Sequence, residues 1–357
     1  MVTHALGSYP VYVHGGALAG LPDLVRRLLP RRRVALIADA RIEELYRTGR
    51  LGSTPAEWET LTFEPGEQSK TRASWAGLTD ALMTRGFGRD SAIIALGGGV
   101  TGDLAGFVAA TYMRGIPYLQ VPTTVLAMLD AAVGGKTGVD TPFGKNLVGA
   151  FHPPSAVVAD PQTLATLPDR EYRAGLAEAV KHGLIADEDY FSWMEANAAA
   201  LVSRQTPALT RLIRRSVEIK GAVVADDERE SGKRAILNAG HTVAHALEQA
   251  TDYRLPHGEA VALGLIVECR IAEAKGIAQT GLTRRVTGLF TSLGLPVRLD
   301  TPLEPVKLLD GMTRDKKNRE GNIHFALVVE PGEMHRVGGW TTAVPVDLIR
   351  AALASIG

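Results

Sequence analysis

Short apolar runs alternate with helical periodicities along the first half of this chain. Arg33-Val34-Ala35-Leu36-Ile37-Ala38-Asp39 is apolar at every interior position. The same holds for Ser91-Ala92-Ile93-Ile94-Ala95-Leu96, which runs into Gly97-Gly98-Gly99, and two shorter runs cover residues 118–122 and 156–160. Each has the length of a strand, and a strand with no polar alternation is buried on both faces. Helical spacing falls between them, over residues 72–85 and 103–113. This alternation predicts a parallel sheet covered by helices on both sides. After Pro168 the pattern changes: residues 171–185, 207–226, 240–249 and 259–275 carry the 3.6-residue period, with few strand signals. The expected organisation is an α/β, Rossmann-like parallel-sheet domain over residues 1–170, then a mainly α-helical domain over 171–357. The cleft between two such domains is the default place for a ligand.

Composition removes several function classes. At 357 residues two domains are natural, and the 39 basic and 39 acidic side chains cancel, so no net field draws the chain toward nucleic acid or an anionic membrane. No apolar run reaches the roughly 18 residues a spanning helix needs. The N-terminus has no basic stretch ahead of an apolar one, so no secretory signal is expected. Cys269 is the one cysteine and has no intrachain disulfide partner, which fits a reducing, cytoplasmic compartment. Flanked by Glu268 and Arg270 in an apolar stretch, it reads as a buried, inert thiol rather than a nucleophile.

The chemistry concentrates in three places. In Asn238-Ala239-Gly240-His241-Thr242-Val243-Ala244-His245, two histidines sit four apart on one helical face, and His257 follows a proline-bounded turn. Glu178, on a predicted helix, offers the carboxylate that a mixed nitrogen and oxygen metal site requires, with Lys181 one turn on. A metallopeptidase is not expected, because Thr242 stands where the H-E-x-x-H motif has its glutamate. Gly97-Gly98-Gly99-Val100-Thr101-Gly102-Asp103 satisfies G-x-G-x-x-G between a strand and a helix. That pattern is either a pyrophosphate cradle or only a tight strand-to-helix turn, and it does not follow the first strand as in the standard dinucleotide fold. Asp39, ending an earlier strand, is either a ribose ligand or a capping aspartate. Gly134-Gly135-Lys136-Thr137, with Lys145 and Asn146 beyond it, lacks the spacing of a nucleoside-triphosphate loop, yet its small residues around two lysines suit a phosphate or carboxylate in close backbone contact. The bland alternative is a glycine-rich surface loop.

Taken with Pro65-Gly66-Glu67-Gln68-Ser69-Lys70-Thr71, Tyr112-Met113-Arg114-Gly115, Pro122-Thr123-Thr124, Phe151-His152-Pro153, His257-Gly258-Glu259 and Asp315-Lys316-Lys317, these segments resemble the 3-dehydroquinate synthase family, in order, from about residue 30 to 330. The resemblance implies an enzyme that uses NAD and one divalent metal, zinc or cobalt. It would convert 3-deoxy-D-arabino-heptulosonate 7-phosphate, a sugar-acid phosphate, to 3-dehydroquinate and phosphate in the shikimate pathway. The implied course is transient oxidation by NAD, phosphate elimination, re-reduction and intramolecular aldol closure. The implied metal ligands are Glu178, His241 and His257. The implied cofactor contacts are Gly66, Glu67, Lys70, Gly98, Gly99, Val100, Thr101, Gly102, Asp103, Thr123 and Thr124, with Thr163 and Thr166 beneath, Lys136 and Lys145 shared with substrate, and Asp39 as the ribose candidate. The implied substrate contacts are Asp130, Lys136, Lys145, Asn146, Lys220, Arg234, Asn238, His245 and Lys316. The resemblance implies catalytic roles for Lys136, Lys181, Arg234, Asn238 and His245, and Glu230 matches an acid proposed in the family as proton acceptor. Arg114 is implied to cross a subunit interface to the phosphate, and with it a homodimer.

Ala244 stands where glycine is common in the family, Arg41 where a smaller polar residue is usual, and Met128, Leu129, Ala131 and Ala132 where polar residues are frequent. None of these removes a metal ligand or a phosphate lysine. The rival readings are a related cyclase of the amino-dehydroquinate or valiolone type, a metal-dependent polyol dehydrogenase, and an inactive binding protein. Arg234, Asn238 and His245 together favour a substrate with a carboxylate.

Overall fold

The structure is a computed structural model and describes residues 1–4, 7–49, 55–227, 232–313 and 323–357. The chain divides into two compact units, Met1–Leu167 and Pro168–Gly357. Among the described residues no helix is long and apolar enough to cross a membrane.

The first unit opens with an antiparallel pair, β1 (Val2–His4) and β2 (Gly7–Tyr9). There follow β3 (Val11–Val13), α1 (Leu21–Leu28), β4 (Arg33–Asp39), α2 (Ala40–Arg47), β5 (Glu59–Phe63), α3 (Arg72–Thr84), β6 (Ser91–Gly97), α4 (Gly99–Thr111) and β7 (Tyr118–Pro122). A hairpin of β8 (Lys136–Thr141) and β9 (Gly144–Phe151) precedes β10 (Ala156–Ala159). Six strands form one sheet in the order β3-β10-β7-β6-β4-β5, and every pairing is parallel. Successive side chains of a strand point to opposite faces, and both faces here are dry. Leu36 and Ile94 pack with Leu21, Val25 and Ile42 on one side. Ile37 and Ile93 pack with Leu78, Leu82, Leu104 and Val108 on the other. This is why the sequence shows continuous apolar runs.

Two local expectations need correction. The helix expected from residue 103 begins at Gly99, so most of the glycine motif is the first turn of α4 rather than a loop before it. Glycines carry no apolar periodicity, and the sequence pattern therefore could not show where the helix began. The Gly134–Lys145 segment, read as a loop of small residues, is largely the β8–β9 hairpin. Its outer strand escaped notice because Leu147, Val148 and Phe151 point outward instead of into a core.

The second unit contains α5 (Asp169–Ala186), α6 (Glu188–Val202), α7 (Thr206–Asp226), α8 (His241–Ala250), α9 (His257–Ala274), α10 (Leu282–Ser292) and α11 (Pro305–Thr313). It ends with β11 (Ile323–Phe325), β12 (Val328–Glu330), β13 (Glu333–Met334), β14 (Thr342–Val344) and α12 (Val346–Leu353). The β11–β14 and β12–β13 pairs were not legible as strands. Helix α9 and the part of α5 from Ala174 onward are buried around nearly their whole circumference, and in α5 the buried positions include the polar Glu178, Lys181 and His182. Glycines set their spacing. A Cβ on Gly258 would lie 1.8 Å from the Ala174 carbonyl oxygen of α5, and one on Gly264 would lie 2.0 Å from the Gly240 carbonyl oxygen.

Candidate active site

Because the six strands of the first unit are parallel, their carboxyl ends share one edge. Asp39 ends β4, Gly97 ends β6, Thr123 and Thr124 follow β7, and Thr163 and Thr166 follow β10. Pro65 to Lys70 follows β5. The strand order reverses between β4 and β6, since the chain goes outward to β5 and returns past β4. That reversal is where open α/β sheets bind ligands.

The glycine turn has the features of an anion site. Gly97 has φ +157°, and Gly98 leads straight into α4 with no side chain capping its N–H groups. An uncapped helix start presents N–H groups and a partial positive charge. A Cβ on Gly98 would come within 3.1 Å of Thr124 Cγ2, closing the space over the turn. Among the described residues the Thr101 and Thr123 hydroxyl oxygens are buried without a hydrogen-bond partner. These features fit a dinucleotide phosphate. Gly102 serves a different purpose from its neighbours: its N–H bonds to the Gly98 carbonyl at 3.0 Å, and a Cβ there would meet Gln120 Oε1 at 2.9 Å. It lets α4 lie against β7 rather than offering a donor.

Other candidates at this edge are already engaged within the unit. Asp39 Oδ1 accepts from the Ile42 N–H at 2.9 Å and caps α2. Thr124 Oγ1 accepts from the Ala127 N–H at 3.2 Å. Thr163 and Thr166 donate to the carbonyls of Asp160 and Thr163, at 2.8 and 3.1 Å. Gly66 has φ +105° and starts the short turn bearing Glu67. Lys70 is buried and donates to Asp103 Oδ2 at 2.6 Å, while Glu67 stands 3.8 Å from Lys70 and 3.9 Å from Lys145. Burial pushes the Glu67 carboxyl up, and the two lysines only partly offset it. Burial opposes the charge on Lys70, and Asp103 overrides it. The hairpin is tied to this turn through the Asp140 N–H, which bonds the Lys70 carbonyl at 2.7 Å, and Asp140 Oδ1 accepts the Asn146 N–H at 2.8 Å. Lys136 and Lys145 are exposed on the hairpin, and Asp130 is half-buried on a short turn at Ala127–Ala131.

Arg114 is not brought to this edge. It lies beyond the far end of α4, whose 13 residues span about 20 Å. Met113, Arg114 and Gly115 have φ of 50°, 66° and 112°, a left-handed kink that leaves Arg114 exposed.

In the second unit the sequence-chosen ligands converge. Glu178 comes from the middle of α5, while His241 and His257 are the first residues of α8 and α9. Gly240, at φ +81°, turns the chain into α8, and Pro256 leads into α9. Both Nε2 atoms stand 3.7 Å from Glu178 Oε1, and the three ligand atoms all lie within 4.8 Å of one another. A separation of 3.7 Å is too long for a good hydrogen bond. It is close to the spacing of neighbouring ligands on an ion with bonds of about 2.0–2.2 Å. The Glu178 oxygens are buried without a hydrogen-bond partner among the described residues, and Lys181 forms an ion pair with Oε2. His241 Nδ1 lies 3.1 Å from the Ala239 carbonyl, which assigns the proton there and leaves Nε2 as the donor.

The electrostatics agree. Burial pushes the Glu178 carboxyl up, but Lys181, His257 and His241 outweigh it and hold the carboxyl well below the usual range. Burial, then Lys181, pushes the His241 imidazole down, so it is neutral. Burial lowers His257 too, yet Glu178 and Glu248 raise it to about 10. The cluster thus favours a positive charge beside its carboxylates, and a divalent cation would take the place of the His257 proton. One carboxylate and two imidazoles form a donor set that leaves coordination positions open, as catalytic zinc sites do.

His245 lies one turn along α8, its ring 5.6 Å from that of His241. Lys220 is buried on α7 and Arg234 on the short 3-10 segment Lys233–Asn238 that ends in Asn238. Glu230 and Lys316, with Asp315 and Lys317, lie outside the described residues. Sequence reasoning gave no role to several supporting groups. Asp227 Oδ2 accepts the N–H groups of Gly232 and Arg234 at 2.7 and 3.0 Å, Glu268 Oε2 accepts that of Gly240 at 2.7 Å, and Arg170 clamps both oxygens of Glu259 at 2.7 and 2.9 Å. Glu248 was also passed over, although its position seven residues after His241 puts it on the same helical face.

Comparison with known proteins supplies the family. Residues 60–174 match the 3-dehydroquinate synthase N-terminal family and residues 175–318 the 3-dehydroquinate synthase C-terminal family. The chain belongs to the 3-dehydroquinate synthase family. It is 49% identical over 334 residues to the 3-dehydroquinate synthase of Symbiobacterium thermophilum, covering 91% of this chain and 92% of that one. A 2-deoxy-scyllo-inosose synthase solved with carbaglucose-6-phosphate, NAD+ and Co2+ is 27% identical with a TM-score of 0.89, covering 99% of this chain and 98% of that one. A 2-epi-5-epi-valiolone synthase from Streptomyces hygroscopicus subsp. jinggangensis, solved with NAD+ and Zn2+, is 30% identical with a TM-score of 0.85, covering 98% and 96%.

Proposed function

We propose that this chain catalyses the 3-dehydroquinate synthase reaction, using NAD and one divalent metal. The observation that carries the reading is the convergence of Glu178, His241 and His257 in a chain 49% identical to a curated member of the family over nearly its full length. When bound, the metal would supply Lewis-acid polarisation of a substrate hydroxyl, and NAD a reversible hydride acceptor.

The protein's own groups do the rest. The uncapped start of α4, with Gly98, Gly99, Val100 and the Thr101 and Thr123 hydroxyls, would hold the dinucleotide phosphates. Asp103 fixes Lys70 beside it, and Glu67 stands 3.9 Å from Lys145. Glu178, His241 and His257 would hold the cation, and Lys181 keeps Glu178 ionised. Lys136, Lys145 and Asn146 on the hairpin, with Asp130, are assigned to substrate contact, as are Lys220, Arg234, Asn238 and His245 in the second unit. Arginine and lysine donors of this kind bind carboxylate and phosphate through charge-assisted hydrogen bonds and stabilise charge as phosphate leaves. The proton lost before elimination passes to Glu230 or to the leaving phosphate itself.

The protein is assigned as a homodimer of the cytoplasm. Phe143, Leu147, Val148 and Phe151 on the β8–β9 hairpin are 89%, 44%, 38% and 56% exposed, an apolar surface that a second copy would cover. Arg114, a helix length from its own glycine turn, would serve a neighbouring subunit. Hybrid dimers of Arg114→Ala and Glu178→Gln chains should then recover activity, because one composite site regains both groups. No recovery on mixing would refute the shared site.

The deciding assay is phosphate release from 3-deoxy-D-arabino-heptulosonate 7-phosphate with NAD+ and Zn2+ or Co2+, followed together with NADH absorbance. Phosphate release without NADH build-up is expected. Release from sedoheptulose 7-phosphate alone would move the chain to a sibling cyclase, and steady NADH formation with a polyol would make it a dehydrogenase.

A further inference from the structure

We propose that Glu248 is a positioning residue for His257, holding the ring from behind so that Nε2 faces the metal position. This rests on the reading of Glu178, His241 and His257 as metal ligands. Glu248 is 7% exposed, on the buried side of α8, and its Oε1 lies 3.5 Å from His257 Nδ1. The opposite ring nitrogen, Nε2, lies 3.7 Å from Glu178 Oε1. The imidazole thus stands between two carboxylates, one on each nitrogen. A desolvated carboxylate is costly to bury, and here it stands at ion-pair distance from a histidine nitrogen. Its charge strengthens Nε2 as a donor and fixes which nitrogen is protonated.

The two histidines are held differently. His241 Nδ1 faces a backbone carbonyl, that of Ala239, which no side-chain substitution removes. His257 faces a side chain, and it is the more exposed of the two rings, at 30% against 13%. The more exposed of the two rings therefore has the charged support, which makes Glu248 the point at which the centre can be loosened without touching a ligand.

The test is titration of the metal-free protein with Co2+, read by its visible absorption and by calorimetry, for the wild type, Glu248→Gln and Glu248→Ala. Glu248→Ala should weaken Co2+ binding by roughly 10- to 100-fold and alter the visible spectrum. Glu248→Gln keeps an acceptor without the charge and should fall between the two. Thermal melting of the metal-free forms separates a folding defect from a binding one, and Glu248→Gln, of nearly the same shape, covers the case in which the alanine variant fails to fold. Wild-type affinity and spectrum in both variants would overturn the positioning role. Failure of the wild type to bind one Co2+ would instead overturn the metal assignment on which it rests.

Discussion

Replacing Gly258 by alanine tests the claim that backbone proximity builds the metal centre. A Cβ at this position would fall 1.8 Å from the Ala174 carbonyl oxygen and 2.4 Å from its carbon. Ordinary contact begins near 3.4 Å, so α5 and α9 must separate by about 1.6 Å, the difference between 3.4 and 1.8. The obstacle is backbone, which cannot rotate aside. Glu178 lies one helical turn beyond Ala174, and His257 immediately precedes Gly258, so the separation acts on a ligand pair now 3.7 Å apart. Metal–ligand bonds tolerate about 0.2 Å. The variant should lose tight Co2+ binding and phosphate-releasing activity, with an overpacking cost of about 1–3 kcal/mol in urea denaturation. Gly288, in α10, is the control: a Cβ there meets nothing within 4 Å. Gly288→Ala should leave metal binding and turnover intact and raise stability by up to about 1 kcal/mol. Stoichiometric, wild-type Co2+ binding by the Gly258→Ala protein would refute the reasoning.

Chelation followed by dialysis should abolish activity and lower the melting temperature, and zinc or cobalt should restore both. A metal at about 100 times its Kd contributes about 2.7 kcal/mol to the folded state, so identical melting curves with and without it would count against a bound ion. Lys70→Ala removes the partner of Asp103 across a 2.6 Å contact. It should cost about 3 kcal/mol, the low end for a broken buried pair because Asp103 keeps some solvent, and it should weaken NAD+ binding in a fluorescence titration; unchanged values for both would refute the role. Cys269 is 1% exposed and burial pushes its thiol up. It should resist iodoacetamide in the native protein and react on unfolding, and rapid native alkylation measured by mass spectrometry would contradict its placement.

The sequence by itself determined what depends on local pattern and residue chemistry. Apolar runs such as 33–39 and 118–122 read as strands because a sheet covered on both faces needs no polar alternation. His241 and His245 could be placed on one face from spacing, and the same stripe contains Glu248, though the sequence gives no reason to join it to His257. Tertiary structure decided what depends on distance across the chain. Only the parallel order of the strands brings Asp39, Gly98, Thr123 and Thr163 to one edge, and only the packed interior shows that Asp39 caps a helix and Gly102 faces Gln120. The outer strand of the hairpin bearing Lys136 and Lys145 was hidden because Leu147, Val148 and Phe151 face outward, against the rule by which cores are read. Glu178 and His257 are 79 residues apart in the numbering, and their meeting depends on Gly258 against Ala174, a contact between backbones. Side-chain pattern reports which faces are apolar, whereas the closeness of two backbones is set by the absence of a side chain, and that becomes visible only when both helices are in place.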